Sequence, residues 1–318
     1  GIAVCGLGHA HPELVHVLSE QAKDLWHTSN LYRVELQESL ASLLSKITKQ
    51  NRVFFCNSGA EANEAAIKLA KKHGSDKGIK APIIVTMNGS FHGRTMATLS
   101  ATGNPKVHSG FSPLLQGFKH IDYDSAEQAE RVMQARDVVA VLVEPIQGEG
   151  GIIVPQKGYL SKLRKLCDET NTLLMLDEVQ TGIGRTGQWF AFQEEGIEPD
   201  VLTIAKGLGN GIPIGACLAK GAAGNVLTPG THGSTFGGNP LVARVALQVL
   251  EIIERDGLLE RARHLGERIC YQFKEKLDSL VGVIEIRGRG LMIGIELDRP
   301  CSEIVELALK EKLLVNVA

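Results

Sequence analysis

Short unbroken apolar runs alternate along the chain with segments whose apolar positions recur every three or four residues. Apolar runs of strand length bounded by turn residues predict strands buried on both faces. They fall at Val53–Phe55, Ile83–Thr86, Val138–Glu144, Leu173–Asp177, Val201–Ala205 and Gly215–Leu218. The helical period predicts helices over Val34–Thr48, Ala60–His73, Ser125–Gln134, Tyr159–Thr170 and Pro240–Arg255. Strands alternating with helices imply an α/β fold with a mainly parallel sheet covered by helices. Beyond Asp256-Gly257 the order changes to a helix over Leu258–Leu280, strands at Val283–Ile286 and Leu291–Leu297 around Gly288-Arg289-Gly290, and a helix over Ser302–Lys312. We therefore expect an N-terminal segment (residues 1–30), a large domain (31–256) and a small α+β C-terminal domain (257–318). The apolar start, Gly1 to Leu18, fits with either part, and Pro12 points to a loop at the His9-Ala10-His11 pair.

Composition narrows the function classes. At about 150 residues per domain, a chain of this length allows about two domains. The 34 Lys and Arg against 36 Asp and Glu leave a net charge of −2, so no global basic field draws nucleic acid or an anionic membrane. No apolar stretch approaches the ~18–20 residues that cross a bilayer. The six cysteines form no C-x-x-C pair, which speaks against a disulfide framework or structural zinc and fits a reducing, cytoplasmic setting. The His9-Ala10-His11 pair has no Glu or Cys at ligand spacing, so no metal is expected. The 35 glycines in a non-repetitive chain point to tight turns and close backbone approach to a ligand. Gly1 lies inside a Gly/His-rich stretch and Ala318 ends an apolar run, so we expect a longer gene product.

Candidate chemistry gathers at the ends of the expected strands. Asn57-Ser58-Gly59-Ala60-Glu61-Ala62-Asn63-Glu64 follows a strand and opens a helix, with Ser58 as cap and Glu61 as its capping-box partner. The N–H groups of Gly59 and Ala60 there suit an anion such as phosphate. The apolar Leu173–Leu176 delivers Asp177 and Glu178 to a strand end, where open α/β sheets bind ligands. A Walker B reading of these acids fails, because no G-x-x-x-x-G-K-[ST] accompanies them. Gly182-Ile183-Gly184-Arg185-Thr186-Gly187 matches G-x-G-x-x-G, but no long helix comes after it, so a turn beneath a ligand is the better reading. Lys206 leaves an apolar strand into Gly207-Leu208-Gly209, and a desolvated lysine there suits a Schiff base or general base. Phe91-His92-Gly93-Arg94, Glu144 to Gly151, and the loop His232 to Pro240 complete the set, with Ser234 and Thr235 open to phosphate binding or to turn chemistry. Phosphate donors, an aromatic ring, a carboxylate for a ring nitrogen and a lysine for an aldehyde together form the inventory of a pyridoxal phosphate pocket.

The segments GIAVCGLGHAHPELV, LWHTSNLY, NSGAEANEAAIKLA, FHGRT, EPIQGEGG, LLMLDEVQTGIGRTG, AKGLGNGIPIGA and HGSTFGGNP are similar to those of the class III, fold-type I aminotransferases, and the resemblance runs along essentially the whole chain. It implies pyridoxal 5'-phosphate as cofactor, with Lys206 carrying its aldehyde and moving the proton, and Asp177 pairing with the ring nitrogen. It further implies that Ser58, Gly59 and Ala60 hold the phosphate, that His92 belongs to the cofactor site, that Gln180 binds the ring hydroxyl, and that Phe91 and Val179 cover the two ring faces. Arg94 is implied to bind a substrate carboxylate, and Glu149 to shield a second arginine between half-reactions. Thr235, with Ser234, is implied to reach the site of the other subunit of a homodimer. The implied reaction moves the terminal amino group of N-acetylornithine to 2-oxoglutarate, a step of arginine biosynthesis. The alternatives are another ω-amino donor (ornithine, succinylornithine, 4-aminobutyrate or a lysine-pathway substrate), or a decarboxylase or epimerase with the same cofactor. Relatives of this family carry a second carboxylate-binding arginine in a tail beyond the position of Ala318.

Overall fold

Val138–Val143 (β4) is apolar at all six positions and buried at each of them, so both its faces must be covered. The computed structural model, which describes residues 1–318, places it inside a seven-stranded sheet. The other strands of that sheet are β1 (Arg52–Cys56), β2 (Ile83–Met87), β3 (Phe118–Ile121), β5 (Leu173–Asp177), β6 (Val201–Ile204) and β7 (Gly215–Ala219), in the order β1-β7-β6-β5-β4-β2-β3. Neighbours from β6 through β3 are parallel, and β7 runs antiparallel to both β6 and β1. The sheet is thus mainly parallel, as the alternating pattern predicts. The edge strand β3 escapes that pattern, because Lys119 and His120 interrupt its apolar residues.

The helices are α1 (Pro12–Ala22), α2 (Glu35–Thr48), α3 (Gly59–Asp76), α4 (Met96–Ala101), α5 (Pro105–His108), α6 (Ala126–Met133), α7 (Tyr159–Thr170), α8 (Pro240–Arg255), α9 (Leu258–Leu277) and α10 (Glu303–Lys310). Alternation along the strands sorts the core into two layers. Ala140 and Leu142 of β4 meet Ala65, Ala66, Leu69 and Ala70 of α3, while Val141 and Val143 face the side that α2, α7 and α8 cover. The His9-Ala10-His11 pair lies in a turn, as Pro12 predicts, and Pro12 itself occupies the first turn of α1, where its missing N–H costs nothing. Leu14 and Val17 of that helix are buried, and α1 packs against α8. After Gly257, in the left-handed region at φ +62°, α9 carries an antiparallel hairpin of β8 (Val283–Arg289) and β9 (Met292–Leu297). Its turn lies at Gly290-Leu291, one or two residues later than the glycine-rich stretch predicts.

No helix is long and apolar enough to cross a membrane, and no group of three or more His, Cys, Asp or Glu residues is placed to hold a metal ion. Because the central strands are parallel, their C-terminal ends emerge at one edge of the sheet, together with the start of α3 after β1.

Candidate active site

At that edge lies a cavity of about 370 Å³. It brings together Ser58, Gly59, Ala60, Phe91, His92, Arg94, Asp177, Val179, Gln180 and Lys206, which the sequence scatters over some 150 positions.

The floor at the start of α3 is set by local rules. Ser58 is extended and its hydroxyl accepts the Glu61 N–H at 3.2 Å, as a cap should. The Glu61 carboxylate departs from the simple capping box. It accepts from the N–H and the side-chain amide of Asn57, at 2.7 and 2.8 Å, rather than from the cap residue. Gly59 and Ala60, as the first helical residues, have N–H groups without intrahelical acceptors, at the positive end of an 18-residue helix. Gly59 has to be glycine, because a Cβ there lies 2.7 Å from Val179 Cγ1.

Asp177 ends β5 and is almost wholly buried. Its Oδ1 accepts the Val179 N–H at 3.0 Å. Its Oδ2 accepts from Asn63 Nδ2 at 2.7 Å and faces His92 Nδ1 at 2.8 Å. His92 therefore enters the cavity wall with its imidazole against Asp177. Asn63 is the residue that sequence reasoning left without a role, although it stands inside the quoted helix motif. Its amide oxygen accepts the Thr203 hydroxyl at 2.7 Å across 140 residues, a partner that no local signal reveals.

Lys206 follows β6 at φ +44°, a left-handed conformation unusual for a non-glycine residue and of the kind found at functional sites. Burial lowers the affinity of its amine for a proton; the negative charges of Asp177, Glu149 and Glu144 work against that shift, and Arg185 adds to it. Directly behind its turn, Gly207 packs on Ile183 of the Gly182–Gly187 loop. That loop leads into a short 3-10 turn at Ala191–Glu195, as expected of a supporting turn and not of a dinucleotide site.

Glu144, after β4, also lines the cavity. It accepts the N–H of Phe91 at 3.1 Å and of Gly148 at 3.3 Å, and burial raises its pKa to about 7. The Gln180 amide rests on Gly148, where a Cβ would fall 2.3 Å from it, and donates to Glu149 at 3.3 Å. Glu149 thus stands beside the cavity through Gln180. Arg94 is exposed at the mouth, its guanidinium 5.6 Å from the centre of the Phe91 ring. Ser234 and Thr235 are not among the lining residues. Ser234 Oγ instead closes its own turn by accepting the Gly237 N–H at 3.0 Å, and Thr235 is exposed. Arg287 of β8, which the sequence did not single out, donates to the carbonyls of Ile152 and Gly151 at 2.9 and 2.8 Å and so ties the hairpin to the loop that carries Glu149.

The profile of the family Aminotransferase class-III matches residues 1–317. The acetylornithine aminotransferase of Nitrosomonas europaea is 56% identical over 318 residues, covering all of this chain and 81% of that protein. The N-acetylornithine aminotransferase of Stenotrophomonas maltophilia K279a superposes with a TM-score of 0.85 at 40% identity, over 99% of this chain and 79% of that one. The ornithine aminotransferase of Toxoplasma gondii, solved with partial occupancy of PLP at its active site, gives a TM-score of 0.95 at 35% identity, over 98% of this chain and 76% of that one. Sheet order and likeness together define the fold-type I PLP-transferase fold. The chain belongs to the class III aminotransferase family.

Proposed function

We propose that this enzyme transfers the terminal amino group of N-acetylornithine to 2-oxoglutarate with pyridoxal phosphate, giving N-acetylglutamate 5-semialdehyde and glutamate. The observation that carries the cofactor is the joint placement of a partly buried Lys206 of lowered basicity and a donor-held Asp177 around one cavity whose floor is a helix N-terminus. The donor set fits the group part by part. Free N–H groups at Gly59 and Ala60 suit a phosphate, a fixed carboxylate suits a protonated ring nitrogen, and an amine of lowered basicity suits an aldehyde. The glycine at 59 leaves the floor no Cβ to collide with Val179. The substrate rests on the kinship: relatives with the acetylornithine name are 56% and 50% identical over the whole chain.

The bound cofactor supplies an aldehyde that exchanges with amines and a ring that draws electrons from the carbon bearing the amine. The chain's own residues do the rest. Lys206 Nζ, its hold on a proton weakened by burial, would take the proton from that carbon and pass it to the carbon that was the cofactor's aldehyde. Asp177 keeps a proton on the ring nitrogen. Ser58, Gly59 and Ala60 anchor the phosphate, Gln180 meets the ring hydroxyl, and Phe91 and Val179 cover the ring. Arg94 takes a substrate carboxylate in its planar fork. Glu149, held by Gln180, is the acid that shields a second arginine between the two half-reactions. Ser234 and Thr235, which do not line this cavity, serve the neighbouring subunit of a homodimer in the cytoplasm. Residues 31–256 act as the cofactor domain and 257–318 as a smaller unit linked to it through Arg287.

The test is the visible absorption of the purified protein with pyridoxal phosphate. A visible band that bleaches with N-acetylornithine and returns with 2-oxoglutarate is expected, with free ornithine at the same concentration much less effective. A band indifferent to acetylornithine overturns the substrate, and no band at all overturns the cofactor.

A further inference from the structure

The two oxygens of Asp177 are unequally occupied. Oδ2 has both lone pairs engaged, by Asn63 Nδ2 at 2.7 Å and His92 Nδ1 at 2.8 Å. Oδ1 accepts only the Val179 N–H at 3.0 Å and keeps a lone pair free. Asn63 has no freedom to turn over. Its Nδ2 also donates to the His92 carbonyl at 2.8 Å, which only the NH2 end can do, and its Oδ1 accepts from Thr203. Asn63, His92 and Thr203 are each buried to 2% exposure or less. The His92 main chain is fixed in turn, its N–H donating to Thr102 Oγ1 at 2.9 Å. On the side away from Asp177, His92 Nε2 is buried without a partner, so Nδ1 is the ring atom that spends its proton on the carboxylate.

We propose that Asn63 and His92 are positioning residues, which grip Asp177 by Oδ2 and so present Oδ1 to the cation bound in the cavity. The proposal rests on the cofactor reading above and assigns it a division of labour: Asn63 and His92 act only through Asp177. Held at Oδ2, the carboxylate keeps the free lone pair of Oδ1 aimed into the cavity, where it would accept from the ring nitrogen and stabilise its protonated form. Thr203 is the outermost member, because its hydroxyl reaches Asp177 only by way of Asn63.

The experiment uses holoenzyme reconstituted with pyridoxal phosphate labelled with 15N in the ring, and reads the ring-nitrogen shift against pH beside kcat and KM. For Asn63→Leu and His92→Phe we expect kcat to fall about 10- to 100-fold with KM within about twofold, as for other outer partners of a functional group. We also expect the ring nitrogen to lose its proton at lower pH than in the wild type. His92→Gln, which keeps a donor, should recover part of both changes. Thr203→Val removes the hydroxyl that orients Asn63 and takes no hydrogen bond away from Asp177 itself. It gives a smaller change of the same sign, and carries the test should Asn63→Leu fail to fold. Variants that unfold at lower temperature yet keep the wild-type kcat and ring-nitrogen shift make this cluster mere packing and overturn the proposal. A wild-type protein that takes up no labelled cofactor overturns the reading beneath it, and the proposal with it.

Discussion

The two sides of the β5 terminus hold neighbouring acids in opposite circumstances. Asp177 and Glu178 are both buried, at 4% and 1% exposure. Strand alternation sends them to opposite sides. On the cavity side, Asp177 is held by two side chains and the Val179 N–H and retains a free lone pair. On the rear side, the Glu178 carboxylate accepts from the Thr181 hydroxyl at 2.6 Å and from the N–H groups of Ala191 and Phe192, both at 2.9 Å. Those partners lie outside the cavity. Glu178 binds the glycine-rich loop to the following 3-10 turn, and that loop backs Lys206. The same functional group one residue along is therefore chemistry in one case and scaffolding in the other. Partners decide which, not burial.

The largest expected effect lies on the cavity side. Lys206→Ala removes the only lysine of the cavity and should lower kcat by at least about 10⁴-fold, the upper range for a lost proton-transfer group. The visible band should weaken or move while the chain stays folded. A variant that keeps a tenth of wild-type turnover shows that another group moves the proton.

Next comes the crossed pair. Asp177→Asn should cost about 10²–10³-fold in kcat, as loss of a charge-stabilising group does, in addition to the stability lost by turning an NH2 toward the Val179 N–H. Glu178→Gln turns an NH2 toward backbone N–H donors, so it should cost about 1–3 kcal/mol of stability. Its kcat should stay within a few-fold of wild type. If the two variants show the same mixture of losses, the division between the sides is wrong. Steady-state kinetics beside urea unfolding reads both.

This division was only half legible in the sequence. Leu173 to Asp177 reads as a buried strand ending in an acid, Asn57 to Glu64 as a capped helix start, and Lys206 as a lysine among glycines, because each obeys rules that span a few residues. Asn63 and Thr203 lie 140 residues apart and His92 and Asp177 lie 85 apart, so the network that separates Asp177 from Glu178 exists only after the sheet has formed. The strand at Phe118–Ile121 was missed for a related reason: it is an edge strand, specified by pairing with β2 more than by its own pattern. The helix at Pro12–Ala22 was hidden by a lead of glycines and histidines, and only its packing on α8 gives its apolar stripe a purpose.

The smallest effect concerns charge on the rear side. Burial raises the Glu178 pKa from 4.5 to about 7, against the pull of its three donors, and Glu144 is raised to the same region. An acid whose pKa is higher in the folded than in the unfolded chain stabilises the fold in its protonated form. That contribution is complete below about pH 4.5 and is lost as pH rises through about 7. Thermal unfolding of the cofactor-free protein should therefore shift to lower temperature between these limits. In Glu178→Gln, which has nothing to titrate there, the decline should be shallower, with Glu144 supplying the remainder. An unchanged decline means that Glu178 is ionised throughout this range, its three donors outweighing burial. The contrast between the two acids of the β5 terminus then rests on the open lone pair of Asp177 alone.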